Sequence, residues 1–169
     1  MSISIYSLLV PPLSRGLTNL SALLDKAEAH AAAKKFDSAV LVQSRVFPDM
    51  LPFSRQVQIC CDTAKGAAAR LAGVEIPKHE DNEVTLADLK QRVAKTLSFL
   101  QSLTAQQMAN AETTAVELKF PSITMKFTGL SYLTDFVLPN FYFHESMVYA
   151  LLRHNGVEIG KKDFLGAIQ

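Results

Sequence analysis

The amino-acid sequence predicts an all-α protein, an antiparallel four-helix bundle with a small β-hairpin between the third and fourth helices. Four segments repeat apolar residues at steps of three and four, which is the spacing of one buried helical face. One short stretch instead alternates apolar and polar residues, as strands do. A chain of 169 residues is long enough to bury one core, and we expect residues 1–169 to form a single domain.

The first helix is predicted from a stripe of leucine and alanine residues that runs from Leu13 to Ala31. Pro11 and Pro12 precede this stripe. Proline is tolerated in the first turn of a helix but not in its interior. These two residues therefore either begin the helix or kink an extension that reaches back to Ile5.

The second and third helices have clear end signals. The apolar stripe of the second helix begins at Phe53, after a proline-containing link at residues 46–52, and Gly73 follows it as a typical stop residue. Thr85 and Asp88 resemble a capping box, with Asp in place of the usual Glu, and a leucine-rich stripe follows them. The third helix is therefore expected to begin after Thr85.

The hairpin and the fourth helix complete the predicted fold. Residues 116–120 and 123–127 form two alternating runs with Pro121 and Ser122 between them, which indicates two strands and a turn. The fourth helix is predicted from an N-cap at Ser131 to His154, with a kink at Pro139.

Composition excludes several classes of partner. The chain has 17 Lys and Arg residues against 16 Asp and Glu residues, a net charge of +1, so no basic field attracts nucleic acid or an anionic membrane. It has no apolar run long enough for a membrane span, and its N-terminus lacks the basic segment of a signal peptide. The adjacent Cys60 and Cys61 favour reduced thiols. We expect a cytoplasmic protein that folds alone or as a homodimer.

His144 is the first candidate for a functional residue, because it falls in the apolar stripe of the fourth helix and should point inward. Asn140 lies one turn earlier on the same face. If the second helix packs beside the fourth, Gln56 would face both residues across the core, where bundles build their sites. The alternative is that His144 is a core residue that hydrogen-bonds to a neighbour.

Two long runs carry a resemblance to a known family: RVFPDMLPFSRQVQICCDTAKGAAARLAGVEIP at residues 45–77 and PNFYFHESMVYALLRHNGVEIGKKDFLG at residues 139–166. They resemble the DUF1993 family of bacterial proteins of unknown function, over nearly the whole chain. That family resembles the DinB/YfiT-like superfamily, whose fold is a four-helix bundle. Its better-known members are metal-dependent, and some are thiol-dependent transferases or isomerases.

The resemblance also implies candidate site positions. In typical members, one histidine of the second helix and two of the fourth, four residues apart and just before a Leu-Arg pair, bind a divalent metal. Counting back from residues 152 and 153 gives His144 the second of these positions and Asn140 the first. The second helix contains no histidine, and its nearest polar candidates are Gln56 and Asp49.

A site of one histidine with Asn and Gln is a poor metal site, because carboxamides bind Zn or Ni weakly. We therefore expect no cofactor, with His144 as the ligand if a metal is bound. The expected function is a degenerate pocket around His144 that binds a small molecule or serves the structure, with no catalytic residue assigned. The alternative is a thiol-transferase-like enzyme that uses a weakly bound divalent metal such as Zn or Ni, or His144 alone as a general base.

Overall fold

The computed structural model describes residues 3–167. Its four long helices are α1 (Ile5–Lys34), α2 (Phe53–Ala72), α3 (Leu86–Ser102) and α4 (Leu138–His154). Helix α1 packs on α3, α2 packs on both α3 and α4, and α1 also contacts α4. The apolar stripes of all four helices meet in one core. The predicted four-helix bundle is confirmed.

Helix α1 begins at the earlier of the two predicted positions. Ser4 caps it in a reciprocal pair of hydrogen bonds with Ser7, and the helix continues through Pro11 and Pro12. The apolar stripe behind the prolines is fully buried, so core packing holds together a helix that two prolines would weaken in isolation.

Helix α2 begins and ends where the sequence predicts, and helix α3 begins where it predicts. Gly73, with a φ angle of 66°, adopts the left-handed conformation that ends α2. Thr85 Oγ1 accepts from the Asp88 backbone at 3.1 Å, and the Asp88 carboxylate accepts from the Thr85 backbone at 2.9 Å. A short helix at Ala39–Val42, in the link before α2, is an addition to the prediction. Four residues are too few to reveal a helical period.

The β-hairpin is also confirmed. Strands β1 (Ala115–Lys119) and β2 (Thr124–Thr128) pair in antiparallel register, with Val116 opposite Phe127 and Leu118 opposite Met125. Val116 and Leu118 are buried against the bundle. Two 3₁₀ turns at residues 105–108 and 111–113 lead into β1, and neither was predicted.

The predicted start of the fourth helix is wrong. Thr128, and not Ser131, is the cap; it bonds to Ser131 around a single helical turn, Gly129–Ser131. A π-helical segment, Tyr132–Val137, then leads into α4, whose second residue is Pro139. Proline lacks the N–H that continues the regular ladder. The sequence predicts a kink at Pro139, and the structure has a π-helical segment that ends two residues before it.

The C-terminal segment folds back onto α1. Gly156, with a φ angle of 85°, follows α4, and a short helix at Lys161–Leu165 packs against α1. Asn19 Nδ2 donates to the backbone oxygen of Phe164 at 2.9 Å. Within residues 3–167, none of the helices has both the length and the apolar character that crossing a bilayer requires.

Candidate functional site

His144 lies on the face of α4 that packs against α2, where it is hydrogen-bonded to Gln56. The distance between His144 Nδ1 and Gln56 Oε1 is 2.7 Å. Gln56 is itself buried, and its Nε2 donates to the backbone oxygen of Leu51 at 2.9 Å. Two consecutive hydrogen bonds therefore join α4, α2 and the link that precedes α2.

These hydrogen bonds define which nitrogen of His144 carries the proton. The backbone oxygen of Leu51 only accepts, so the Gln56 amide nitrogen must face it and the Gln56 oxygen must face His144. Nδ1 of His144 is consequently the donor. In a neutral imidazole the other nitrogen, Nε2, then keeps its lone pair and can accept a hydrogen bond.

The imidazole is neutral near pH 7, because burial lowers the pKa of His144 below its ordinary value of 6.5. The ring is 9% exposed. Four buried side-chain atoms lack a hydrogen-bond partner within residues 3–167, and His144 Nε2 is not one of them: Ser14 Oγ, His79 Nδ1, Arg92 Nε and Glu145 Oε1. Within the same residues, Nε2 of His144 makes no hydrogen bond.

Two other predicted site residues do not join His144. Asn140 Nδ2 donates to Thr63 Oγ1 of α2 at 2.8 Å, so this amide ties α4 to α2 one turn away. Asp49 is exposed in the link before α2. The structure therefore brings together His144 and Gln56 and leaves Asn140 and Asp49 apart from them.

These side chains do not fit the three-histidine metal centre that the resemblance implies. The set offers one imidazole, and the Gln56 oxygen beside it already accepts from His144. Within residues 3–167, no three His, Cys, Asp or Glu residues lie close enough together to hold an ion. A single imidazole nitrogen is not a metal centre. What His144 offers is a hydrogen-bond acceptor.

One partly exposed apolar side chain, that of Phe143, borders His144. Phe143 is 52% exposed, and its ring meets the imidazole edge to face with centroids 5.1 Å apart. Leu51, whose carbonyl oxygen holds Gln56, is also exposed. In the described part of the chain, four cavities of about 40 to 420 Å³ are lined by other residues. The candidate site is therefore a polar group beside an exposed aromatic ring.

Glu145, which the sequence analysis missed, is the second functional candidate. It is 1% exposed. Neighbours on a helix point about 100° apart, so Glu145 does not share the direction of His144 toward α2 and lies instead beside Gly16 of α1. Gly16 of α1 leaves room for it, since a Cβ there would lie 3.2 Å from Glu145 Oε1. Burial raises the pKa of Glu145 to about 7, although the nearby Arg15 charge lowers it. The sequence signal for its burial is its spacing in α4, four residues after Phe141 and three before Val148.

Arg92 of α3 forms the largest ion-pair cluster, which links α2, α3 and the segment between them. Its guanidinium lies 2.7 Å from Asp62, 3.0 Å from Asp81 and 2.9 Å from Glu83. Lys65 also pairs with Asp62, at 2.9 Å. Arg55 pairs with Asp81 as well, so three basic groups face three carboxylates. Because these charges balance within the cluster, we assign it a structural role.

Cys60 and Cys61 are buried free thiols. Burial raises the pKa of both, that of Cys61 to about 12. A thiol with a raised pKa is a poor nucleophile at neutral pH. Core packing is therefore their role.

Comparison with known proteins agrees with the resemblance carried by residues 45–77 and 139–166. Residues 5–165 match a family model described as a domain of unknown function, DUF1993. The crystal structure of a DinB family member protein from Shewanella denitrificans is similar, with a TM-score of 0.90 and 46% sequence identity. The similarity covers 96% of this chain and 92% of that one. No curated protein matches this chain.

Proposed function

Because this chain belongs to the DUF1993 family and has the fold of a DinB family member, we propose that it is a small-molecule binding protein whose ligand contacts His144. The observation that carries this proposal is the 2.7 Å hydrogen bond between His144 Nδ1 and Gln56 Oε1. It fixes the ring and commits Nδ1 as the donor. Nε2 then keeps its lone pair in a ring that is already oriented, which is the preorganisation that favours ligand binding.

The chemistry around His144 selects the class of ligand. A neutral imidazole has no charge to attract an ion, and Nε2 accepts a hydrogen bond, so the ligand carries an N–H, O–H or S–H donor. The exposed ring of Phe143, which lies beside the imidazole, favours an apolar body beside that donor. The ligand class is therefore an uncharged, partly apolar molecule with one hydrogen-bond donor.

A thiol-transferase-like enzyme is the second candidate, because Nε2 of His144 is also the nitrogen that would take the proton of a thiol. That transfer would leave a thiolate and an imidazolium. A burial-lowered pKa makes His144 a weaker base than an ordinary histidine, whereas free thiols have a pKa of about 8.5. Proton abstraction is therefore unfavourable, and ligand binding is the better-supported function.

Phenol and anisole form a matched pair of probes, since they share an aromatic ring and only phenol has a donor. In NMR titrations of the whole protein, we expect phenol to shift the His144 ring signals. We expect anisole to bind about tenfold more weakly, the equivalent of one hydrogen bond of roughly 1.4 kcal/mol. His144→Ala should abolish the preference for phenol.

His154→Ala is the control variant, because His154 is an exposed histidine in the last turn of the same helix. It should retain the preference for phenol. Equal affinities for phenol and anisole in the wild-type protein would contradict the proposal, even if His144→Ala failed to fold. A preference that survives in folded His144→Ala would contradict it as well.

A further inference from the structure

A small cavity lies on the other side of α4 from Gln56, between α1, α4 and the C-terminal segment. Its volume is about 40 Å³. Pro12, Phe164 and Leu165 form apolar walls, and Glu145, Arg15 and Tyr142 supply polar groups. The hydrogen bond from Asn19 to the backbone oxygen of Phe164 fixes the rim. The cavity is therefore built from three separate parts of the chain.

Glu145 is the buried polar group of this cavity. Its side chain is 1% exposed, and Oε1 has no hydrogen-bond partner among residues 3–167. A buried carboxyl without a partner is costly, and an ionised one more so. A ligand that donates hydrogen bonds and carries positive charge would remove that cost.

Arg15 places a positive charge beside the same cavity. It is exposed on α1, and it is close enough to Glu145 for its charge to favour the ionised carboxylate. In the described part of the chain, the ion pairs involve neither Arg15 nor Glu145. The cavity thus has a buried negative group and, at its rim, a separate positive group.

We propose that this cavity binds the head group of a small zwitterion of the α-amino acid class, with the ammonium group on Glu145 and the carboxylate on Arg15. Arg15 would repel a ligand with only positive charge, and Glu145 would repel one with only negative charge. A zwitterion carries one charge that pairs with Arg15 and one that pairs with Glu145. A volume of about 40 Å³ is larger than the roughly 10–15 Å³ that a cavity needs to hold one water molecule, which suits an ammonium group and leaves the carboxylate at the rim.

Glycine is the probe, with methylammonium and acetate as its two halves. Calorimetric titration of the full chain near pH 8 should give binding of glycine, and each half should bind about tenfold more weakly or not at all. Glu145→Gln and Arg15→Gln should each lower the affinity for glycine about tenfold. Arg153→Gln, which changes another exposed arginine, should leave the affinity unchanged.

The affinity should also fall as the pH is lowered from about 8 to about 6, because Glu145 becomes protonated. The other groups that face Glu145 keep their charge over this range. Arg15 of α1 is always charged, Tyr142 of α4 and Cys60 of α2 have raised pKa values, and the C-terminal segment contributes apolar side chains. No detectable binding of glycine would overturn the proposal. An unchanged affinity of Glu145→Gln for glycine would also overturn it, and so would binding of methylammonium or acetate as tight as that of glycine.

Discussion

Glutamine in place of Glu145 should raise the free energy of unfolding by about 3 kcal/mol near pH 8 and change it little near pH 4. Burial raises the pKa of Glu145 from 4.5 to about 7, and each pKa unit corresponds to about 1.4 kcal/mol. The amide of glutamine has nearly the shape of the carboxyl but never ionises. The variant therefore avoids the cost of a buried charge.

The sign of this effect follows from proton binding. Between pH 4.5 and about 7 the native protein keeps a proton on Glu145 that the unfolded chain has released. Stability contributed by Glu145 is complete below this window and is lost as the pH rises through it. Urea unfolding at several pH values measures the difference between variant and wild type.

Glu158→Gln is the control, because Glu158 is exposed just after α4. Its effect should be small and nearly independent of pH. A Glu145→Gln variant that is destabilised near pH 8, and less so at low pH, would contradict the prediction, because it would show that the carboxyl is ionised and paired in the native protein.

Alanine in place of Arg92 should lower the free energy of unfolding by about 3 to 5 kcal/mol. Arg92 is 2% exposed and pairs with three carboxylates, of which the Glu83 side chain is 8% exposed. Removing the guanidinium leaves a buried carboxylate without its cation, beside Asp62 and Asp81. The cost is the desolvation of Glu83 as well as the lost attraction, whereas Asp62 and Asp81 are partly exposed and keep their pairs with Lys65 and Arg55.

Denaturant unfolding of Arg92→Ala beside Arg153→Ala measures this effect, since Arg153 is exposed at the end of α4. The control should change stability by less than about 0.5 kcal/mol. Because a buried pair is poorly screened, the Arg92 effect should persist in high salt. A loss of less than about 1 kcal/mol for Arg92→Ala would mean that the cluster behaves as a surface ion pair.

The architecture was predictable because each long helix carries a complete apolar stripe. The second helix also has an explicit end signal at Gly73, and the third has an explicit start signal in the Thr85–Asp88 pair. Short elements lack both. The start of the fourth helix was misplaced because Ser131 is a common capping residue, whereas in the structure it is the partner of the true cap, Thr128. Sequence alone did not distinguish the two members of the pair.

The candidate site was predictable only in part. The stripe of the fourth helix indicated that His144 points inward, but the partner of each polar residue depends on the rotation of α2 about its axis. In the structure, that rotation lets Gln56 bond to His144 and Thr63 bond to Asn140. Glu145 and Arg92 were missed because charged residues are usually exposed, and the reasons for their burial lie on other segments of the chain.

Whether His144 presents an acceptor to a ligand depends on the protonation state of its two ring nitrogens. ¹⁵N NMR near pH 7 measures that state, and His144→Ala assigns the signals. We predict a proton on Nδ1 and an unprotonated, pyridine-type Nε2, because Gln56 accepts from Nδ1 at 2.7 Å. A proton on Nε2, or an imidazolium protonated on both nitrogens, would contradict the proposal that His144 presents an acceptor to a ligand.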